Sequence, residues 1–306
     1  MKSINYFLHD AQSMGFNVES ISVQSTDGKI FEGNDELVNV HSVAKTITSL
    51  AFALLLKEHS DIGLNDKVVS FFPEYSSSFS KNTDRIMIKD LLHMQSGKLI
   101  QSLLQKNNNV EWNVDWAKWF FEYPMNFLPG TIYYYSSHCC YMIGRIIEKI
   151  AHEDVNDFLL RRFWEPLGIS KPFWEKCPKG YTNCAGNLML RCSDLSKIGW
   201  LILNKGRYDS VQLDISENYI RNMCTDIVSS SDPFKWNDEE CSAGYGYFLW
   251  KCKNSERYRI WGAGGNFSVI DFSLHICVTI TAIRDDMNWK YRNDQDLLRL
   301  IISSFM

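Results

Sequence analysis

Several things are scarce or missing in this chain of 306 residues. No window of roughly 20 apolar residues occurs, the length a membrane-crossing helix needs; the most apolar stretch, Val43 to Leu56, is interrupted by Lys45, Thr46 and Thr48. The first ten residues, MKSINYFLHD, contain no apolar core of a secretory signal and no small-residue cleavage site, so the expected location is the cytoplasm. Neither charge dominates. The formal net charge of -4 and scattered basic residues give no concentrated positive field, which argues against nucleic acid as a partner. No CxxC pair occurs among the nine cysteines, and no histidine stands at finger-like spacing, so a metal site is not expected and reduced thiols are. Prolines number only 7, and no linker rich in Pro, Gly or Ser divides the chain.

What is present suits a folded core: 45% of the residues are hydrophobic and 14% aromatic. Residues 3–15 read as a helix. ESISVQS (19–25) and residues 29–33, joined by Asp27-Gly28, read as a hairpin, because Asp-Gly between alternating runs favours a tight turn. A long apolar helix follows over 42–58. Helical periodicity then recurs over 88–95, 114–123, 141–151, 155–163 and 195–204. The last quarter turns β-rich over 244–251, 257–262, 266–271 and 275–283, before a final helix over about 293–304. Strands at both ends with helices between predict an α+β fold, with one antiparallel sheet assembled from the two terminal segments. The expected division is a sheet subdomain of residues 1–60 plus 240–306 and a mainly helical insertion over 61–239.

The chemistry begins at Ser42-Val43-Ala44-Lys45. Positions i and i+3 share a helix face, so Lys45 can reach the Ser42 hydroxyl. A buried lysine with a depressed pKa can take that proton and make the serine a nucleophile. A helix N-terminus also favours developing negative charge. The alternative is an N-cap serine followed by an ordinary helix lysine. A second copy, Ser78-Phe79-Ser80-Lys81, lies in a polar stretch with no apolar helix beside it and reads as a solvated loop.

Further stretches decide between those alternatives. Pro129-Gly-Thr-Ile-Tyr-Tyr-Tyr135-Ser-Ser137 resembles the Pro-Gly-Thr-x-Phe-x-Tyr-Ser-Asn signature of the class C β-lactamase and penicillin-binding-protein-like serine hydrolases. Ile88 to Gly97, Pro166-Leu-Gly-Ile-Ser170, Ala185 to Gly199 and Gly244 to Trp250 are similar to other segments of that family, in the right order. The resemblance implies a β-lactamase/transpeptidase-like fold. It makes Tyr135 the second catalytic group, and puts Ser137 where an asparagine usually stands. Both tyrosine and serines could instead be a core aromatic run and a helix cap.

The family's third motif, Lys-Thr-Gly or His-Thr-Gly, is replaced here by Ile260-Trp261-Gly262, as in esterase-like members. There a glycine lets a substrate backbone approach, and the N–H of Ala263 becomes the second oxyanion donor beside that of Ser42. The other reading is a Gly-rich turn with Trp261 in the core. Trp261, Gly262, Ser137 and Asn266 are the expected substrate contacts, and Arg259 could stand in for the missing cation. Trp112, Trp116, Trp119 and Phe120 suit either an apolar acyl pocket or the core. The resemblance therefore implies a cofactor-free enzyme that acylates Ser42 with a small ester or amide, Lys45 and Tyr135 managing the proton. Without a cation in the third motif, esterase or amidase activity is expected ahead of β-lactamase or D-Ala-D-Ala peptidase activity. The contrasting possibility is a catalytically inactive binding homologue. Nothing in the sequence indicates the oligomeric state.

Overall fold

The computed structural model describes residues 3–100, 114–231, 238–283 and 291–306. In chain order the elements are α1 (Ile4–Ser13), β1 (Asn17–Ser25), β2 (Gly28–Gly33), β3 (Val38–Asn39), α2 (Val43–Glu58), α3 (Ile88–Leu92), α4 (Trp116–Glu122), α5 (Ser137–Ala151) and α6 (Val155–Leu159), continued by a π turn over Leu160–Trp164. They are followed by β4 (Met189–Leu190), α7 (Cys192–Leu203), β5 (Arg207–Tyr208), β6 (Val211–Gln212), α8 (Glu217–Thr225), β7 (Trp250–Lys251), β8 (Arg257–Gly262), β9 (Asn266–Asp271), β10 (Ile276–Ile283) and α9 (Tyr291–Phe305).

Six strands form one sheet in the order β2-β1-β10-β9-β8-β7, every neighbouring pair antiparallel. The expected hairpin at Asp27-Gly28 is there, and the two ends of the chain meet where β1 pairs with β10, Val23 opposite Val278. One face of the sheet carries α7, sewn to β1 by the Ser22–Ser196 hydroxyl contact of 2.9 Å. At Gly199 an added Cβ would sit 2.1 Å from Ser268 Oγ, so the helix lies directly on the strands. Toward the chain ends, α1 and α9 pack together through Phe7 and Phe305, 5.2 Å apart. Helix α2 is buried without a break from Val43 to Leu55, which is why its sequence is apolar all round rather than on one stripe.

Within the stretch 61–239, α7 lies on the sheet, and β4 pairs with β3 beside the start of α2. The strand expected over 244–251 is reduced to β7. Gly246 lies flush on the Met223 carbonyl, where a Cβ would be 1.9 Å from the oxygen. Phe248 is in the left-handed region (φ 56°), so the chain makes a tight turn, with Gly246 N–H donating to Leu249 O, before β7 can begin. Helix α3 likewise stops short of residue 95, because Met94 turns left-handed at φ 58°.

Trp116 and Phe120 are core residues of α4, Trp116 meeting Tyr141 edge-on at 5.2 Å. Trp119 packs on the His138 ring at 4.8 Å. Trp112 lies outside the described residues.

Candidate active site

Ser42 stands at the entrance to α2 with helical backbone angles (φ -69°, ψ -3°), and its hydroxyl makes no capping bond to the helix. It meets Lys45 Nζ at 3.0 Å instead. The cap alternative therefore fails on geometry, since a capping serine turns its oxygen to the N–H groups of the first turn. Just upstream, His41 is held in the left-handed region (φ 49°), a conformation uncommon outside glycine that marks local strain.

Lys45 is almost wholly buried, and its ammonium also reaches the Ala185 carbonyl. Burial lowers its pKa to about 8, with Cys140 and Cys139 opposing that shift. The lysine can thus lose its proton close to neutral pH, the property a base toward Ser42 needs.

Tyr135 lies across the site, with Lys45 Nζ 5.1 Å from its ring centre. Its ring is held by Trp250 at 5.5 Å and, edge-on, by Tyr245 at 6.2 Å. The loop that carries it is fixed from both sides. Tyr134 N–H donates to Met94 O, and Gly130 N–H donates to Gln95 O. Ser137 opens α5 two residues later and is partly exposed.

The third wall is the end of β8. A Cβ on Gly262 would stand 1.9 Å from the Val40 carbonyl oxygen, so this glycine admits the chain's own backbone two residues before Ser42. That contact corrects the expectation that the glycine makes room for substrate. It also brings Ala263, the next residue and partly exposed, alongside the entrance of α2. The Ala263 carbonyl accepts from Asn266 Nδ2 at 2.9 Å, which pins the β8–β9 turn.

Three other expected contacts point elsewhere. Asn266 is buried, and its amide is used within its own surroundings, by Ala263 O and by Ala282 N–H. Trp261 donates its indole N–H to Asp294 of α9 at 2.9 Å and stacks on Phe267 with the rings 4° from parallel. Arg259 is fully buried, donating to Lys251 O and Glu240 O with the Glu240 carboxylate 3.8 Å away. It is unavailable as a substitute cation. Each side chain answers to strand alternation and local packing rather than to a ligand.

Sequence reasoning missed Ala185 as the second acceptor of Lys45. It falls within a stretch matched to the family, but a backbone carbonyl leaves no trace in residue type. Among the described residues, no group of three or more His, Cys, Asp or Glu side chains could hold a metal ion.

The Beta-lactamase family profile matches residues 19–301. The chain belongs to the Beta-lactamase family. Its members are serine hydrolases, and the Ser42–Lys45 pair lies within the matched region. No curated protein sequence matches the chain. Several solved structures share the fold of this family member. A putative β-lactamase from Bacteroides dorei DSM 17855 is 15% identical over 100% of this chain and 99% of its own, with a TM-score of 0.78. A family VIII carboxylesterase is 14% identical over 98% and 97%, with a TM-score of 0.72. A D-stereospecific amidohydrolase from Streptomyces sp. is 18% identical over 98% and 97%, with a TM-score of 0.71.

Proposed function

We propose that this serine hydrolase cleaves a small ester or amide through an acyl-enzyme on Ser42. The observation that carries the reading is the 3.0 Å contact between Ser42 Oγ and Lys45 Nζ, made by a lysine whose pKa burial lowers to about 8. Ser42 Oγ attacks the carbonyl carbon as Lys45 takes the hydroxyl proton. The N–H groups of Ser42 and Ala263 hold the resulting oxyanion, each donor contributing about 3 kcal/mol. Lys45 with Tyr135 returns the proton to the leaving oxygen or nitrogen as the carbonyl reforms. Water then repeats the attack on the acyl carbon, and the acid leaves.

Substrate preference follows from the third wall. Ile260-Trp261-Gly262 supplies no cation, and Arg259 is committed to Glu240. Among the described residues of that wall a substrate carboxylate would find no cation, which favours neutral esters and amides over penicillins. The carboxylesterase and the amidohydrolase of the same fold are in keeping with that choice. The nine cysteines are all free and buried, as suits a reducing compartment such as the cytoplasm. Among the described residues no helix is long and apolar enough to cross a membrane.

The test is acylation by a fluorophosphonate, read by intact mass on wild type and Ser42→Ala. One adduct on wild type and none on the variant is expected; equal labelling of both removes Ser42 as the nucleophile. A series of nitrophenyl esters of increasing chain length, set against nitrocefin, then separates the substrate classes, with ester turnover expected to exceed nitrocefin turnover.

A further inference from the structure

The Ser42–Lys45 pair closes a ring of hydrogen bonds whose far side is a carboxylate outside every motif in the sequence. Glu175 Oε2 accepts from Asn183 Nδ2 at 3.0 Å and from Asn187 Nδ2 at 2.6 Å. A carboxylate only accepts, so it fixes which end of each amide turns toward it. Both amide oxygens must then face away. Asn183 Oδ1 accepts from Ala185 N–H at 3.2 Å, and the Ala185 carbonyl receives Lys45 Nζ. On the other side Asn187 Oδ1 accepts from Asn39 Nδ2 at 3.1 Å, which leaves Asn39 Oδ1 to accept from His41 N–H at 2.9 Å. His41 precedes Ser42, and Lys45 Nζ meets Ser42 Oγ. One arm ends on the base and the other on the backbone of the residue before the nucleophile.

The backbone around this ring is strained in three places. His41 (φ 49°), Cys184 (φ 63°) and Asn187 (φ 52°) are all left-handed. Such conformations persist where the surroundings over-determine them. Here the Glu175 peptide itself adds two bonds, its N–H to Asn187 O and its carbonyl to Asn183 N–H. Thr48 Oγ1 adds a third from α2, to Cys184 O at 2.7 Å. The loop that presents the Ala185 carbonyl is thereby tied to the helix that carries Lys45.

We infer that Glu175 is the positioning residue of this hydrolase: by orienting Asn183 and Asn187 in opposite senses, it sets the base and the nucleophile at once. Glu175 touches neither Ser42 nor Lys45, and its effect on acylation passes entirely through the two asparagines. The inference rests on the Ser42 acyl-enzyme reading above.

Fluorophosphonate labelling rates at Ser42, followed against pH, test it. Glu175→Leu keeps the bulk and removes both acceptors; it is expected to slow labelling by about 10- to 100-fold, the scale of a small displacement of reacting groups. Glu175→Gln retains one oxygen able to accept both amides and is expected to stay within about three-fold of wild type. Should Glu175→Leu fail to fold, the arms can be cut singly. Asn183→Ala frees the Ala185 peptide, and a buried ammonium that loses this acceptor is destabilised, so the pKa of Lys45 falls further and the midpoint of the labelling curve moves downward. Asn39→Ala lowers the rate at every pH and leaves the midpoint in place. Wild-type rates and midpoints in all the folded variants overturn the role of Glu175 and leave Ser42 standing. A wild-type protein that takes no label at Ser42 overturns the hydrolase reading, and this one with it.

Discussion

Two buried lysines in this protein each meet a serine hydroxyl, and their surroundings differ in what else engages the two groups. Lys45 meets Ser42 at 3.0 Å; Lys98 meets Ser80 at 2.9 Å. Burial lowers both, Lys45 to about 8 and Lys98 to about 7. The difference lies in the remaining acceptors. Lys98 Nζ also donates to Phe121 O and Tyr123 O, at 3.3 and 2.5 Å, so its three donors are met in full. Those carbonyls end α4, where a cation is favoured by the helix dipole. Ser80 Oγ is engaged as well, by Thr83 Oγ1 and Tyr123 O. That constellation is a clamp. Around Ser42, by contrast, stand a helix entrance, the Tyr135 ring and a Gly-backed strand end, and the hydroxyl faces a partly open surface. Proximity to a low-pKa amine is common to both; the clamp of two helix-end carbonyls on the amine belongs to Lys98.

The largest expected difference is in acylation. Ser42→Ala is expected to lose labelling by at least about a thousand-fold, while Ser80→Ala labels as wild type; intact mass after timed exposure reads both, and a label that moves with Ser80 breaks the contrast. Next comes the lysine. Lys45→Met should slow ester turnover by about 100- to 10,000-fold, with a smaller loss of stability than at Lys98 because it leaves the one carbonyl of Ala185 unmet. Lys98→Met should do the reverse, costing about 1–3 kcal/mol of stability through the carbonyls it leaves unmet, as denaturant titration would show. Tyr135→Phe removes one proton carrier and should reduce turnover by roughly 100-fold, with the smaller loss for activated nitrophenyl esters, whose leaving groups need little protonation. The smallest effects are in pH. Lys45 must be neutral to act, so the labelling rate should rise with pH around a midpoint near 8. Both lysines bind protons more weakly folded than unfolded, so between about pH 7 and 10 the unfolded state holds more protons and stability rises with pH. Lys98→Met should flatten that rise, and an unchanged slope would show that burial has not depressed Lys98.

The legible parts of this molecule were those settled within a few residues. Ser42 and Lys45 share a helix face whatever else surrounds them, and Asp27-Gly28 makes its turn locally. The order of the family-like segments carried the fold. What escaped was set by distant partners. Nothing near Arg259 foretells that it will face Glu240, and nothing near Gly262 reveals that Val40 will occupy its empty side. The Ser78-to-Lys81 stretch, expected as a solvated loop, keeps Lys81 exposed but packs Phe79 on Phe121, and Ser80 meets a lysine eighteen residues on. Glu175 was silent for the same reason: its role exists only once Asn39, Asn183 and Asn187 are folded around it.

The pairing of β1 with β10 has a consequence for how the protein is made. Residues 17–25 leave the ribosome about 250 residues before their partner at 276–283, an interval on the order of 10 to 50 s at ordinary translation speed. Throughout it the β1–β2 hairpin has one flank unpaired, an edge prone to joining the wrong strand. Ser42 and Lys45 are synthesised early, but β8, which delivers Ala263, emerges near the end. In the proposed mechanism the nascent chain therefore carries its nucleophile long before its second oxyanion donor, and hydrolysis waits for closure of the sheet. A protein ordered this way should depend on chaperone binding to its first fifty residues, and its yield should be more sensitive to translation rate than its final stability would suggest.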